Sequence, residues 1–154
     1  MARKRFGIQF KGFDEMFANY QKLGGDTKRI VGECLEAVPK LINPMLESDM
    51  AKHKRTGKTA QSISKDKPVE WSGTRAQIPV GFKLKEGGLP SIFLMYGTAR
   101  HAPANQYGTY SGIVKGITQD QKLYNDIYGA ATQRKVAEKQ QEIFTREIKK
   151  IMGG

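Results

Sequence analysis

Apolar residues recur at helical spacing toward both ends of this chain and alternate with polar ones in its middle. Near the start, Phe6, Ile8 and Phe10 alternate with Gly7, Gln9 and Lys11, which predicts a short strand or extended arm ending at Gly12. Phe13, Met16, Phe17, Tyr20 and Leu23 then fall on one helical face, and Gly24-Gly25 stops that helix. Asp26 or Thr27 can cap a second helix by accepting bonds from its free first-turn amides. Its stripe reads Ile30, Val31, Cys34, Leu35, Val38, Leu41, Ile42, Met45 and Leu46. Pro39 and Pro44 lie inside it. Each removes a backbone donor and crowds the carbonyl four residues back. A kinked helix, or two shorter ones, is expected, with the same face buried throughout.

From Lys67 the period becomes two. Val69 and Trp71, then Ala76, Ile78, Val80, Phe82 and Leu84, alternate with polar or small residues, and Ser72-Gly73-Thr74 reads as the hairpin turn between them. Pro79 demotes the second run toward a sheet edge. After Gly87-Gly88, the continuous run Ile92-Phe93-Leu94-Met95-Tyr96 predicts a central strand buried on both faces. A long loop follows, carrying Pro103, Tyr107 and Tyr110. Asp120 caps a final helix whose apolar side is Leu123, Ile127, Ala130, Ala131, Phe144, Ile148 and Ile151. Its middle, 134–141, is polar except for Val136 and Ala137, and is expected to project or to meet another chain. The whole predicts one α+β domain over 1–154. Amphipathic N-terminal helices and a long C-terminal helix pack on a small antiparallel sheet. The segments are an arm or strand at 1–12, helices at 13–55, sheet at 66–97, loop at 98–119 and helix at 120–151.

The chain has 154 residues, of which 38% are hydrophobic and 27% charged, a balance too apolar for a disordered chain. It is polar enough that assembly with copies of itself would complete the burial. The formal net charge of +11 favours nucleic acid, an anionic membrane or an acidic protein surface as partner. Cys34 is the single cysteine, so no internal disulfide forms. On the apolar side of its helix it reads as a buried, inert thiol, in keeping with a reducing compartment. Met1-Ala2-Arg3-Lys4-Arg5 resembles the basic start of a signal peptide, but Gly7, Gln9, Lys11 and Gly12 interrupt any apolar region after it. No segment has the apolar length to cross a bilayer. The chain is therefore expected to stay in the cytoplasm that makes it, with no membrane partner.

The residues that could carry chemistry are sparse. Gly57-Lys58-Thr59 matches the end of a phosphate-binding loop, but Lys52 stands where the first glycine belongs and a helix precedes it instead of a strand. His53 and His101 are the only histidines, and no ligand spacing accompanies them. Asp14-Glu15 and Glu47 with Asp49 are carboxylate pairs on helix surfaces, where solvated charge is the default. No catalytic, cofactor or metal residues are assigned. Arg3, Lys4 and Arg5, and Lys52, Lys54, Arg55 and Lys58, are candidate contacts to DNA or to an acidic partner. The second group also has a plain structural reading. It would offset the negative end of the preceding helix, which Gly57 would close in a left-handed conformation.

Two short signatures remain: Thr56-Gly57-Lys58-Thr59-Ala60-Gln61-Ser62-Ile63 and Leu94-Met95-Tyr96-Gly97-Thr98. Each reads as a joint, with Gly57, Gly97 and Thr98 as hinges. Together they resemble the tail-completion, or head–tail joining (minor neck), protein family of long-tailed double-stranded DNA phages. The matching residues are Thr56-Gly57 with Ser62-Ile63, then Tyr96-Gly97-Thr98 followed by Pro103. The chain departs from that pattern at Thr59, where an aliphatic residue is usual, and at Met95, where an acidic one is. The stretch 104–110 replaces a proline-rich one. The resemblance implies a structural virion component without catalysis, made in the bacterial host cytoplasm and located in the neck. It would form a ring, six-fold or a multiple. Its partners would be copies of itself, the connector or stopper, the tail terminator or tail tube, and DNA passing non-specifically through the channel. The loop holding Pro103, Asn105, Tyr107 and Tyr110 would dock a neighbour. The alternative from charge alone is a small basic, non-specific DNA-binding protein.

Overall fold

A computed structural model describes residues 14–22, 26–65, 67–73, 75–100, 112 and 115–153. Arg3, Lys4, Arg5, His101, Pro103, Asn105, Tyr107 and Tyr110 lie outside the described residues, as does the expected N-terminal arm. The protein is α+β. In chain order the elements are α1 (Asp14–Lys22), α2 (Thr27–Ala51), α3 (Lys58–Gln61), β1 (Glu70–Ser72), β2 (Arg75–Gln77), a 3-10 turn (Leu84–Glu86), α4 (Leu89–Tyr96), α5 (Gln121–Tyr128) and α6 (Ala130–Met152). They group into two compact units. One holds the described residues up to 38 with 68–78 and those from 133 onward; the other holds 39–67 and 79–132.

In the first unit, Tyr20, Ile30, Cys34, Ile143 and Phe144 form a buried cluster, with Ala37, Ile148 and Ile151 packed against it. Burying each large apolar side chain contributes about 1.5–3 kcal/mol. The Tyr20 and Phe144 rings lie 5.6 Å apart, tilted at 48°. Beside them Glu147, only 2% exposed, accepts from Lys150 Nζ at 2.8 Å, from Arg146 Nε at 3.2 Å and from Arg29. Lys150 first, then Arg29 and Arg146, hold its carboxyl down to about 2 against the opposing effect of burial. Asp26 caps α2, its Oδ1 accepting from the Arg29 amide at 3.1 Å. The hairpin forms at the expected turn, pairing Glu70 with Gln77, Trp71 with Ala76 and Ser72 with Arg75.

In the second unit the buried apolar residues include Ile42, Leu46, Met50, Ile63, Met95 and Leu123. The α2 stripe is buried at Ile30, Cys34, Val38, Ile42, Leu46 and Met50, a regular step of four.

Several expectations are corrected. Of the two forms expected for α2, a single helix through Pro39 and Pro44 is found and two shorter helices are not. Each proline forfeits about 3 kcal/mol, and a stripe of six buried side chains outweighs that. The run Ile92–Tyr96 is not a central strand but part of α4. A continuous apolar run suits either state. Here Pro90 in the first helical turn, where no amide is needed, settles the start, and Gly97 settles the end. The sheet expected over 66–97 shrinks, among the described residues, to the β1–β2 hairpin and one bridge between Ile63 and Phe82. The C-terminal helix is interrupted at Gly129, whose extended backbone (φ −70°, ψ 147°) separates α5 from α6. Its polar middle does not simply project: Val136 and Gln140 are buried, and Gln140 Nε2 donates to the Cys34 carbonyl at 3.1 Å.

Candidate docking site

The second unit gathers both signatures around one groove. The α2 helix ends at Ala51, so the basic run lies in the loop after it and not in its last turn. The loop is turned by Gly57, which adopts the expected left-handed conformation (φ 76°, ψ −9°) but opens α3 instead of closing α2. After α3 the chain enters an extended stretch. Ser62 Oγ donates to the Thr59 carbonyl at 2.7 Å, the Ser64 amide donates to Gly81 O at 2.7 Å, and Ile63 bridges Phe82.

The second signature is a clasp. Gly97 has φ 71° and ψ 173°, and its amide donates to Phe93 O at 2.8 Å, closing α4. A side chain on Gly97 would stand 2.9 Å from the Ile117 carbonyl oxygen, so both the conformation and the close approach require glycine. Thr98 then pairs with Ile117 twice. Its amide donates to Ile117 O at 2.9 Å, and its Oγ1 accepts from the Ile117 amide at 2.9 Å. Thr98 and Ile117, nineteen residues apart in sequence, are thereby held together.

Asp120 holds the pieces in register. Its amide donates to Leu94 O at 2.7 Å, and its Oδ1 caps α5 by accepting from the Leu123 amide at 3.1 Å. Its Oδ2 accepts from Lys52 Nζ at 2.9 Å and from His53 Nε2 at 2.7 Å. Since an ionised carboxylate only accepts, the proton of that bond sits on Nε2. Burial opposes the charge, yet the bonds from His53, Lys52 and the Leu123 amide keep the Asp120 carboxyl far below the ordinary carboxylate range. Nearby, Asp49 is buried beside Lys122, and burial raises its carboxyl against the pull of that lysine.

The groove so framed has a volume of about 310 Å³. The first signature contributes Thr56, Gly57, Thr59 and Ala60; α4 contributes Pro90, Phe93 and Leu94, the last belonging to the second signature. Met50, His53, Lys54, Arg55 and Ile117 complete the wall. Lys54 and Arg55, expected from sequence as contacts, therefore stand at its edge. Lys52 turns to Asp120 instead, and Lys58 is exposed on α3 outside the lining. Sequence reasoning missed His53, Phe93, Ile117 and Asp120 as parts of one site. For Phe93 the signal was present: Leu89, Phe93 and Tyr96 share one helical face once Pro90 is read as a helix start. For Ile117 and Asp120 no local pattern announces a contact with Thr98 or His53. Among the described residues no three His, Cys, Asp or Glu side chains converge on a metal site, and no helix is long and apolar enough to cross a membrane. No family model matches the chain, and neither does any curated protein or solved structure.

Proposed function

We propose that this protein is a structural component of a phage neck, joining or completing the tail at the head–tail connector as a ring. The observation that carries this reading is the meeting of the two family-like signatures on one groove, each built on a glycine with positive φ. A turn and a clasp of this kind fix the shape of a contact surface. A ring multiplies weak contacts of that sort by symmetry. The proposed partners are further copies, the connector or stopper and the tail terminator or tube, with DNA passing non-specifically.

The test is genetic and structural. Particles made by the encoding phage without this protein should accumulate as separate heads and tails. Wild-type particles should contain it in multiples of one ring. Fully infectious particles assembled in its absence would overturn the proposal.

A further inference from the structure

The helix α4, LPSIFLMY, contains no charged residue. Yet Leu89, Phe93 and Tyr96 are 52%, 43% and 58% exposed. At positions i, i+4 and i+7 they form one outward stripe. A helix on a lone soluble domain turns its polar side to water; this one presents an apolar side, the mark of a contact surface. From Phe93 the apolar surface continues into the groove to Ile117, itself 42% exposed. Lys54 and Arg55 stand at the groove's edge, and neither has an acidic partner among the described residues.

We propose that this face docks an acidic segment of a different protein. An aromatic or aliphatic anchor of that segment seats against Phe93 and Ile117, and its carboxylates meet Lys54 and Arg55. The inference deepens the neck reading and rests on it only in taking the partner to be a protein. Charge selects the occupant. Lys54 and Arg55, without an acidic partner among the described residues, draw an acidic chain to this face, whereas a basic copy of this chain brings it only more positive charge. A single-strand nucleic-acid groove stacks successive bases on several aromatics. Here, among the described residues, the lining holds one Phe and no Tyr or Trp, and Phe93 stands among Pro90, Leu94 and Ile117. The volume suits one anchoring side chain and its neighbours, at the small end of ligand pockets.

The experiment uses the full chain and a fluorescein-labelled peptide, EELWEELF-amide, read by fluorescence anisotropy. Controls are an acidic peptide without apolar residues (EESSEESS), its basic apolar counterpart (KKLWKKLF) and single-stranded oligothymidine. The acidic apolar peptide should bind, and the controls should bind at least about ten-fold more weakly. The double variant Lys54→Glu/Arg55→Glu and the single variant Phe93→Ser should each weaken the peptide about ten-fold or more, and Lys149→Glu on α6 should not. Tyr96→Ser, on the same stripe, replaces Phe93→Ser if the latter lowers the thermal melt.

Equal binding by EESSEESS, or equal loss with Lys149→Glu, would reduce the face to non-specific charge and overturn the inference. Tighter binding of oligothymidine, lost in the same variants, would overturn it in favour of nucleic acid. Failure of peptide binding with virion assembly intact sinks this inference alone. Assembly without the protein sinks the neck reading and leaves the peptide result standing.

Discussion

Two glycines of the signatures take positive φ for different reasons, and substitution separates them. Nothing lies within 4 Å of where a Gly57 side chain would project, so Gly57→Ala costs only the left-handed conformation, about 1 kcal/mol. At Gly97 the same change adds a collision 2.9 Å from Ile117 O and 3.1 Å from Gln119 N. Gly97→Ala should therefore cost at least about 2 kcal/mol, and Gly97→Val more, measured by denaturant unfolding. Equal costs at the two positions would show that the clasp yields freely. Cys34 is inert by burial, which pushes its thiol up to about 11. Thiol-labelling of the native chain should be slow until unfolding.

At the scale of elements, Asp120 is where α5 begins and where the α2–α3 loop is anchored. Asp120→Ala removes the cap and the contacts to Lys52 and His53, and should cost about 1–2 kcal/mol. Asp120→Asn keeps the cap and should recover part of the loss in thermal melts. Full recovery would mean that Lys52 and His53 contribute nothing. The α4 helix shows why an apolar run misleads. Its five consecutive apolar residues fit a buried strand or a helix equally, and the deciding residues, Pro90 and Gly97, lie at its ends. The α6 helix shows the converse. Gln140 looked like solvated surface, yet it is 3% exposed because its amide meets a backbone carbonyl of α2. The hairpin's turn was legible, since Gly73 supplies a φ of 61°, but its strands are shorter than the alternation suggested, Glu70–Ser72 and Arg75–Gln77.

At the scale of the whole molecule, charge and acidity give the readable behaviour. The Glu147 carboxyl titrates at about 2 in the folded chain against an ordinary 4.5. Folding thus favours the ionised form. The stability it brings is complete above pH 4.5 and drains as pH falls toward 2. Glu147→Gln should flatten that acid limb when melting is followed against pH; an unchanged limb would show that the cation cage adds no stability. With a net charge of +11, the chain should bind duplex DNA weakly and without sequence preference. The expected affinity is on the order of micromolar or weaker near physiological salt. Submicromolar, salt-resistant binding, with no incorporation into particles, would favour the DNA-binding alternative.

The sequence by itself determined what is local. It set the caps at Asp26 and Asp120, the α2 stripe and the hairpin turn, because each depends on residues within a turn or two of one another. Tertiary structure alone decided that Thr98 clasps Ile117, that Asp120 receives Lys52 and His53, and that α4 turns Leu89, Phe93 and Tyr96 outward near the groove edged by Lys54 and Arg55. Those are pairings between segments far apart in the chain. Periodicity reports which face of an element is apolar; it carries no information about which distant segment, or which other protein, will cover it.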